Sequence, residues 1–172
     1  MIKNKGMTRT EVLVVGIILA IIGIGTILNL SRSKMLARDV QRKNDVRAIA
    51  SALGEYTELI GLYPQAVDGK IKACGAVGSF ACEWGQDSVE ASQTALINPL
   101  PRDPFWTKNY SYFYRSAFGK FQLFAHLENK NDDEYSTKIE ELGLKCGIAV
   151  CNFGVSSSWT IPPAQDITQP EP

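Results

Sequence analysis

Between Val12 and Leu28 the chain carries no charge and no proline, and Thr26 is its one polar side chain. Such a run has few ways to fold, because a segment removed from water must satisfy its own backbone, and a helix does so within the segment. At about 1.5 Å per residue it falls just short of a roughly 30 Å hydrocarbon core, and Asn29 and Leu30 make up the length. A secretory signal has a shorter apolar region, about 7–15 residues, followed by a small-residue cleavage site. Here Asn29-Leu30-Ser31-Arg32 follows instead, so the helix is expected to stay on the mature protein.

In front of this run stand Met1-Ile-Lys-Asn-Lys-Gly6, a short basic leader, and Glu11 at the threshold of the apolar residues. An unpaired carboxylate drawn to mid-bilayer costs about 2.5–3.5 kcal/mol, so Glu11 calls for a partner. A cut after Gly6 creates a positive amine on Met7, and two staggered copies can then pair amine with carboxylate. Lys5-Gly6-Met7-Thr8, with Glu11 fifth in the cut chain and apolar residues from Val12, resembles the class III signal of type IV pilins and type II secretion pseudopilins. In that family a prepilin peptidase cuts after the glycine and methylates the new N-terminus, and the glutamate sets register as subunits leave the membrane for a helical filament. The resemblance implies that Gly6 is the last leader residue, Met7 the methylated first residue and Glu11 the assembly carboxylate. Met7 replaces the usual phenylalanine, Arg9 and Thr10 stand in a stretch that is usually apolar, and the mid-helix proline is absent.

Beyond the membrane run the helix is expected to continue. Val46, Ile49, Leu53, Tyr56 and Ile60 recur every three or four residues on one stripe, which should carry a cap. Gly61 and Pro64 supply the stop. A basic band, Arg32, Lys34, Arg38, Arg42, Lys43 and Arg47, is diluted by Asp39 and Asp45. Asp39 with Lys43, and Arg42 with Asp45, have the spacing of paired surface charges, so the first reading is a solvated, self-paired face. The competing reading gives the band to acidic groups on neighbouring subunits or to DNA. Overall charge argues for no nucleic acid: the chain has 18 basic and 18 acidic residues, and loss of Lys3 and Lys5 with the leader leaves about −2.

The band would hold the C-terminal part in the cytoplasm by the positive-inside rule. The cysteines argue the opposite. Cys74, Cys82, Cys146 and Cys151 all follow the helix, and of the three possible pairings the local ones, Cys74–Cys82 and Cys146–Cys151, are preferred because glycines and flexible sequence bound each pair. Zinc competes, but neither spacing is C-x2-C and the one histidine, His126, is remote in sequence. Disulfides imply an oxidising exterior.

The remainder reads as a small α+β head. Residues 65–98 look like a loop region, with a turn at Val67-Asp68-Gly69-Lys70, a short helix over Asp87 to Ile97, and Phe80 and Trp84 tucked beneath as satellite core. Tyr110, Tyr112 and Tyr114, then Phe121 and Leu123, alternate as strands joined across Ala117 to Lys120. With Pro101-Arg102-Asp103-Pro104 before it, this block resembles the proline and tyrosine-rich hairpin of major pseudopilins. Calcium at Asp132 and Asp133 is the lesser reading of an acidic turn, Asn131 to Glu134, that lacks EF-hand spacing. A second short helix is expected over Thr137 to Leu144.

The expected organisation is a leader over 1–6, a transmembrane and filament-core helix over 7–30, an amphipathic continuation over 31–63, a disulfide-looped head over 64–160 and a flexible tail over 161–172. The fold class is α+β, a long N-terminal helix packed against a small antiparallel sheet. Motifs of catalysis are missing from the sequence, so no enzyme and no cofactor are expected. The leading function is a subunit of an extracellular type IV pilus-like filament, held in the cytoplasmic membrane before assembly with its head outside. Its partners are its own copies, prepilin peptidase, an assembly platform and membrane lipid. A pseudopilin of a secretion or DNA-uptake piston is the alternative, and a non-polymerising membrane-anchored binding domain is the third reading.

Overall fold

The structure is a computed structural model that describes residues 8–75, 78–117 and 119–157, with only the backbone of 25–28. Gly6, Met7 and the tail over 161–172 lie outside the described residues. The chain divides into two compact units, Met1–Ala37 and Arg38–Pro172. Helix α1, Arg9–Ile60, contributes to both.

In the first unit every described side chain from Thr8 to Ile24 is exposed, including Val12, Leu13, Ile17, Ile18, Leu19, Ile21 and Ile22. By length and composition this helix can cross a membrane.

The second unit has its own core. Val46, Ile49 and Leu53 are fully buried, and one cluster joins them to Ile71, Leu100, Tyr112, Tyr114, Phe121, Leu123 and Phe153. Each aliphatic or phenylalanine side chain among them contributes about 1.5–3 kcal/mol when fully buried. The stripe ends sooner than its spacing predicts. Tyr56 packs at the margin and Ile60 is 47% exposed. It is the last residue of α1, where Gly61 at φ 89° closes the helix with its amide donating to Thr57 O at 2.8 Å.

Two short hairpins follow. β1 (Gln65–Val67) and β2 (Lys70–Lys72) meet around Asp68 and Gly69, both at positive φ, as a two-residue hairpin turn requires. β3 (Val89–Ala91) and β4 (Thr94–Ile97) do the same around Ser92 and Gln93, at φ 50° and 68°. The short helix expected over Asp87 to Ile97 is therefore a hairpin. Val89 and Ala91 point into the core while Glu90 lies between them, a period of two rather than 3.6.

The main sheet has the order β5 (Phe113–Ala117), β6 (Lys120–Ala125) and β9 (Phe153–Ser156), all antiparallel. Tyr110 stands outside it and forms an isolated bridge to Gly147, and Tyr112 lies one residue before β5. Between β6 and β9 come α2 (Thr137–Glu140), capped by Ser136, and the hairpin β7 (Lys145–Cys146) with β8 (Ala149–Val150). Helix α2 is shorter than expected and gives way to turns before Gly143 at φ 65°. β6 is buried on both faces. Leu123 joins the α1 cluster, and its neighbour Phe124 joins Ile139, Cys146 and Cys151.

Disulfides join Cys74 to Cys82 and Cys146 to Cys151, with Cα separations of 5.3 and 5.1 Å. Trp84 packs against the core, with its ring edge-on to Tyr112 at 5.7 Å, but Phe80 is 50% exposed and is not satellite core.

Candidate functional site

Two sets of residues merit functional reading, one in each unit. In the first, Glu11 occupies the opening turn of α1. The Thr8 amide donates to Glu11 Oε2 at 3.3 Å, and the Glu11 amide donates to Thr8 Oγ1 at 3.4 Å. This is a reciprocal capping box, which satisfies two of the orphan donors at a helix start. The carboxylate also sits at the positive end of the helix dipole. Thr8-Arg9-Thr10-Glu11 is the sequence signature of that arrangement, a signal within the same residues that suggest an assembly carboxylate.

In the second unit the basic band turns inward. Arg42 is completely buried, and its guanidinium meets Asp103 at two points, Nε to Oδ2 at 2.7 Å and Nη2 to Oδ1 at 3.1 Å. Its Nη1 donates to Asp39 Oδ1 at 2.8 Å and to Glu128 Oε1 at 2.6 Å. Arg38 clasps Glu128 through Nε and Nη2 at 2.7 and 2.6 Å, and its guanidinium lies 4.1 Å from the Phe105 ring centroid. Asp39 accepts backbone amides of Glu128 and Asn129, and Asp103 accepts the amide of Phe105 at 2.7 Å. Charges taken from water at this depth need such complete pairing.

The electrostatics follow from the partners. Burial alone pushes the Arg42 guanidinium down, but hydrogen bonding and charge from Asp103, with bonds from Glu128 and Asp39, reverse this and hold it above its ordinary value. Burial likewise pushes Glu128 up, and Arg38 and Arg42 bring it below the usual carboxylate range. Asp132 is depressed, with Lys43 at 2.9 Å outweighing its burial. Asp45 goes the other way: burial raises it, and the Tyr112 hydroxyl donating at 2.7 Å offsets only part of that.

The self-paired surface face is thus corrected. Asp39 pairs with Arg42 rather than Lys43, Asp45 accepts from Tyr112, and Lys43 and Arg47 reach Asp132 and Glu134 across about ninety residues of chain. The acidic turn is engaged by these cations, with Asp133 left exposed. Among the described residues no group of three or more His, Cys, Asp or Glu side chains is arranged to hold a metal ion. Arg32 and Lys34 remain exposed. Sequence reading missed Asp103 and Glu128, and the one available hint was an acid held between Pro101 and Pro104.

Chemically the cluster is a clamp: it fixes the segment after β4 and the turn after β6 to α1, and it presents no nucleophile or proton relay. No family model matches the chain, and neither the curated proteins nor the solved structures include a match.

Proposed function

We propose that this chain is a structural subunit of an extracellular type IV pilus-like filament, released from its leader by cleavage after Gly6. The observation that carries the reading lies in the first unit: an apolar helical segment whose side chains from Thr8 to Ile24 are all exposed, with one carboxylate, Glu11, at its opening turn. An exposed apolar helix of this length needs lipid before assembly and like helices after it. Gly16, with nothing within 4 Å of an added Cβ, leaves room for close helix approach. The head, with its own core and two disulfides, suits the outside of the cell.

In this reading Glu11 exchanges its contact with Thr8 for the Met7 amine of a neighbouring copy. A pseudopilin of a secretion or uptake piston uses the same chemistry. The capping box favours a second reading, since it gives Glu11 a local role that a non-polymerising, membrane-anchored domain would share. Mass spectrometry of the N-terminus after expression with a prepilin peptidase and methyl donor separates them. N-methylated Met7 supports the filament pathway; an intact Met1 start would leave the anchored domain.

A further inference from the structure

A cleft of about 460 Å³ opens on the second unit, between the β1–β2 turn, the 3-10 turn at Trp106–Lys108 and the β7–β8 hairpin. Its volume is within the roughly 300–1,000 Å³ range of small-molecule sites. Trp84, Trp106 and Phe113 give it aromatic walls. Trp106 is 49% exposed and carries the Arg102 guanidinium 4.1 Å from its ring centroid, so the ring is held in place without being buried.

Polar groups stand among these rings. Asp68, Asn109 and Lys145 line the cleft, and their side chains have no hydrogen-bond partner among the described residues, nor do the indole N–H groups of Trp84 and Trp106. Asp68 and Asn109 are held at φ 49° and 59° by tight turns, so both side chains spring from fixed backbone. The charges balance. Lys70 is paired with Glu83, and the lining's other two charges, Asp68 and Lys145, are of opposite sign.

We propose that this cleft binds a neutral saccharide. The apolar C–H face of a pyranose matches an exposed indole, and its hydroxyls both donate and accept, which suits a carboxylate, an amide and indole N–H groups within one cleft. A polyanion would require a net positive lining, and a wholly apolar ligand would leave these donors and acceptors unpaired. The proposal does not depend on polymerisation, because every lining residue belongs to the second unit.

The test is titration of the full chain, in a detergent without a sugar headgroup, with cellobiose, maltose, lactose and N,N′-diacetylchitobiose, following tryptophan fluorescence. Saturable binding of at least one disaccharide is expected, weakened about tenfold by Trp106→Ala. Asp68→Asn, which tolerates the same positive φ, is expected to weaken it by about threefold. Unaltered circular dichroism and intact disulfides in both variants confirm that the fold persists. Absence of binding to all four sugars overturns the proposal. So does affinity unchanged by Trp106→Ala, or tighter binding of a heparin oligosaccharide or oligothymidylate.

Discussion

Arg42 and Asp103 meet through two parallel hydrogen bonds of 2.7 and 3.1 Å, with both side chains sealed from solvent. Removing one partner of a buried pair leaves the other charge unpaired, which costs about 3–5 kcal/mol. Arg42→Ala also takes the cation from Asp39, which keeps the amides of Glu128 and Asn129, so urea denaturation followed by circular dichroism should show a loss within that range. Arg42→Lys keeps the charge but not the fork, and is expected to recover only part of it. A loss below about 1 kcal/mol for Arg42→Ala would show that the clamp is dispensable.

Acid should loosen the clamp at Glu128 and the neighbouring Lys43–Asp132 pair. Glu128 and Asp132 titrate below their ordinary values of 4.5 and 3.8, so the stability they contribute is fully present above those values. It is lost as pH falls through their lower folded values. The expected result is a Tm that drops as pH is lowered from the ordinary carboxylate range, with a flatter profile in Glu128→Gln. Asp45 has the opposite sign. Burial raises it, so its contribution is present at low pH and lost as pH rises through the folded value. Asp45→Asn, which can still accept from Tyr112, should raise Tm near neutrality; a lower Tm there would contradict the assignment.

The two disulfides close loops with sequence separations of 8 and 5. Loop entropy assigns each about 2 kcal/mol. Dithiothreitol should therefore lower Tm, and Cys74→Ser with Cys82→Ser should account for roughly half of the drop. Non-reducing peptide mapping checks the pairing directly, and any cross-link between the two loops would be inconsistent with this structure.

Thr8 and Glu11 allow capping to be separated from assembly. Loss of the Thr8 cap costs about 0.5–2 kcal/mol of helix stability. If Glu11 acts only as a cap, Thr8→Ala and Glu11→Ala should impair filament formation alike, as counted by electron microscopy. The filament reading predicts instead that Thr8→Ala retains most filaments while Glu11→Ala abolishes them, with processing unaffected in both. Equal counts for Glu11→Ala and the unsubstituted protein would falsify the assembly role.

What lies within one turn of chain was legible in the sequence. The apolar run, the stripe of Val46, Ile49 and Leu53, the turn at Asp68-Gly69 and the hairpin around Ala117 to Lys120 are local patterns, written in spacing and backbone preference. Tertiary structure decided the rest. Ser92-Gln93 is a turn because Val89 and Ala91 are both buried, and burial is a property of the assembled core. β9 pairs with β6 although some thirty residues separate them, and Arg42 chooses Asp103 over the nearer Asp45. A guanidinium has no intrinsic preference for one aspartate over another. Which one it reaches is set by how the sheet and the acidic turn close over α1, and chain spacing carries no record of that.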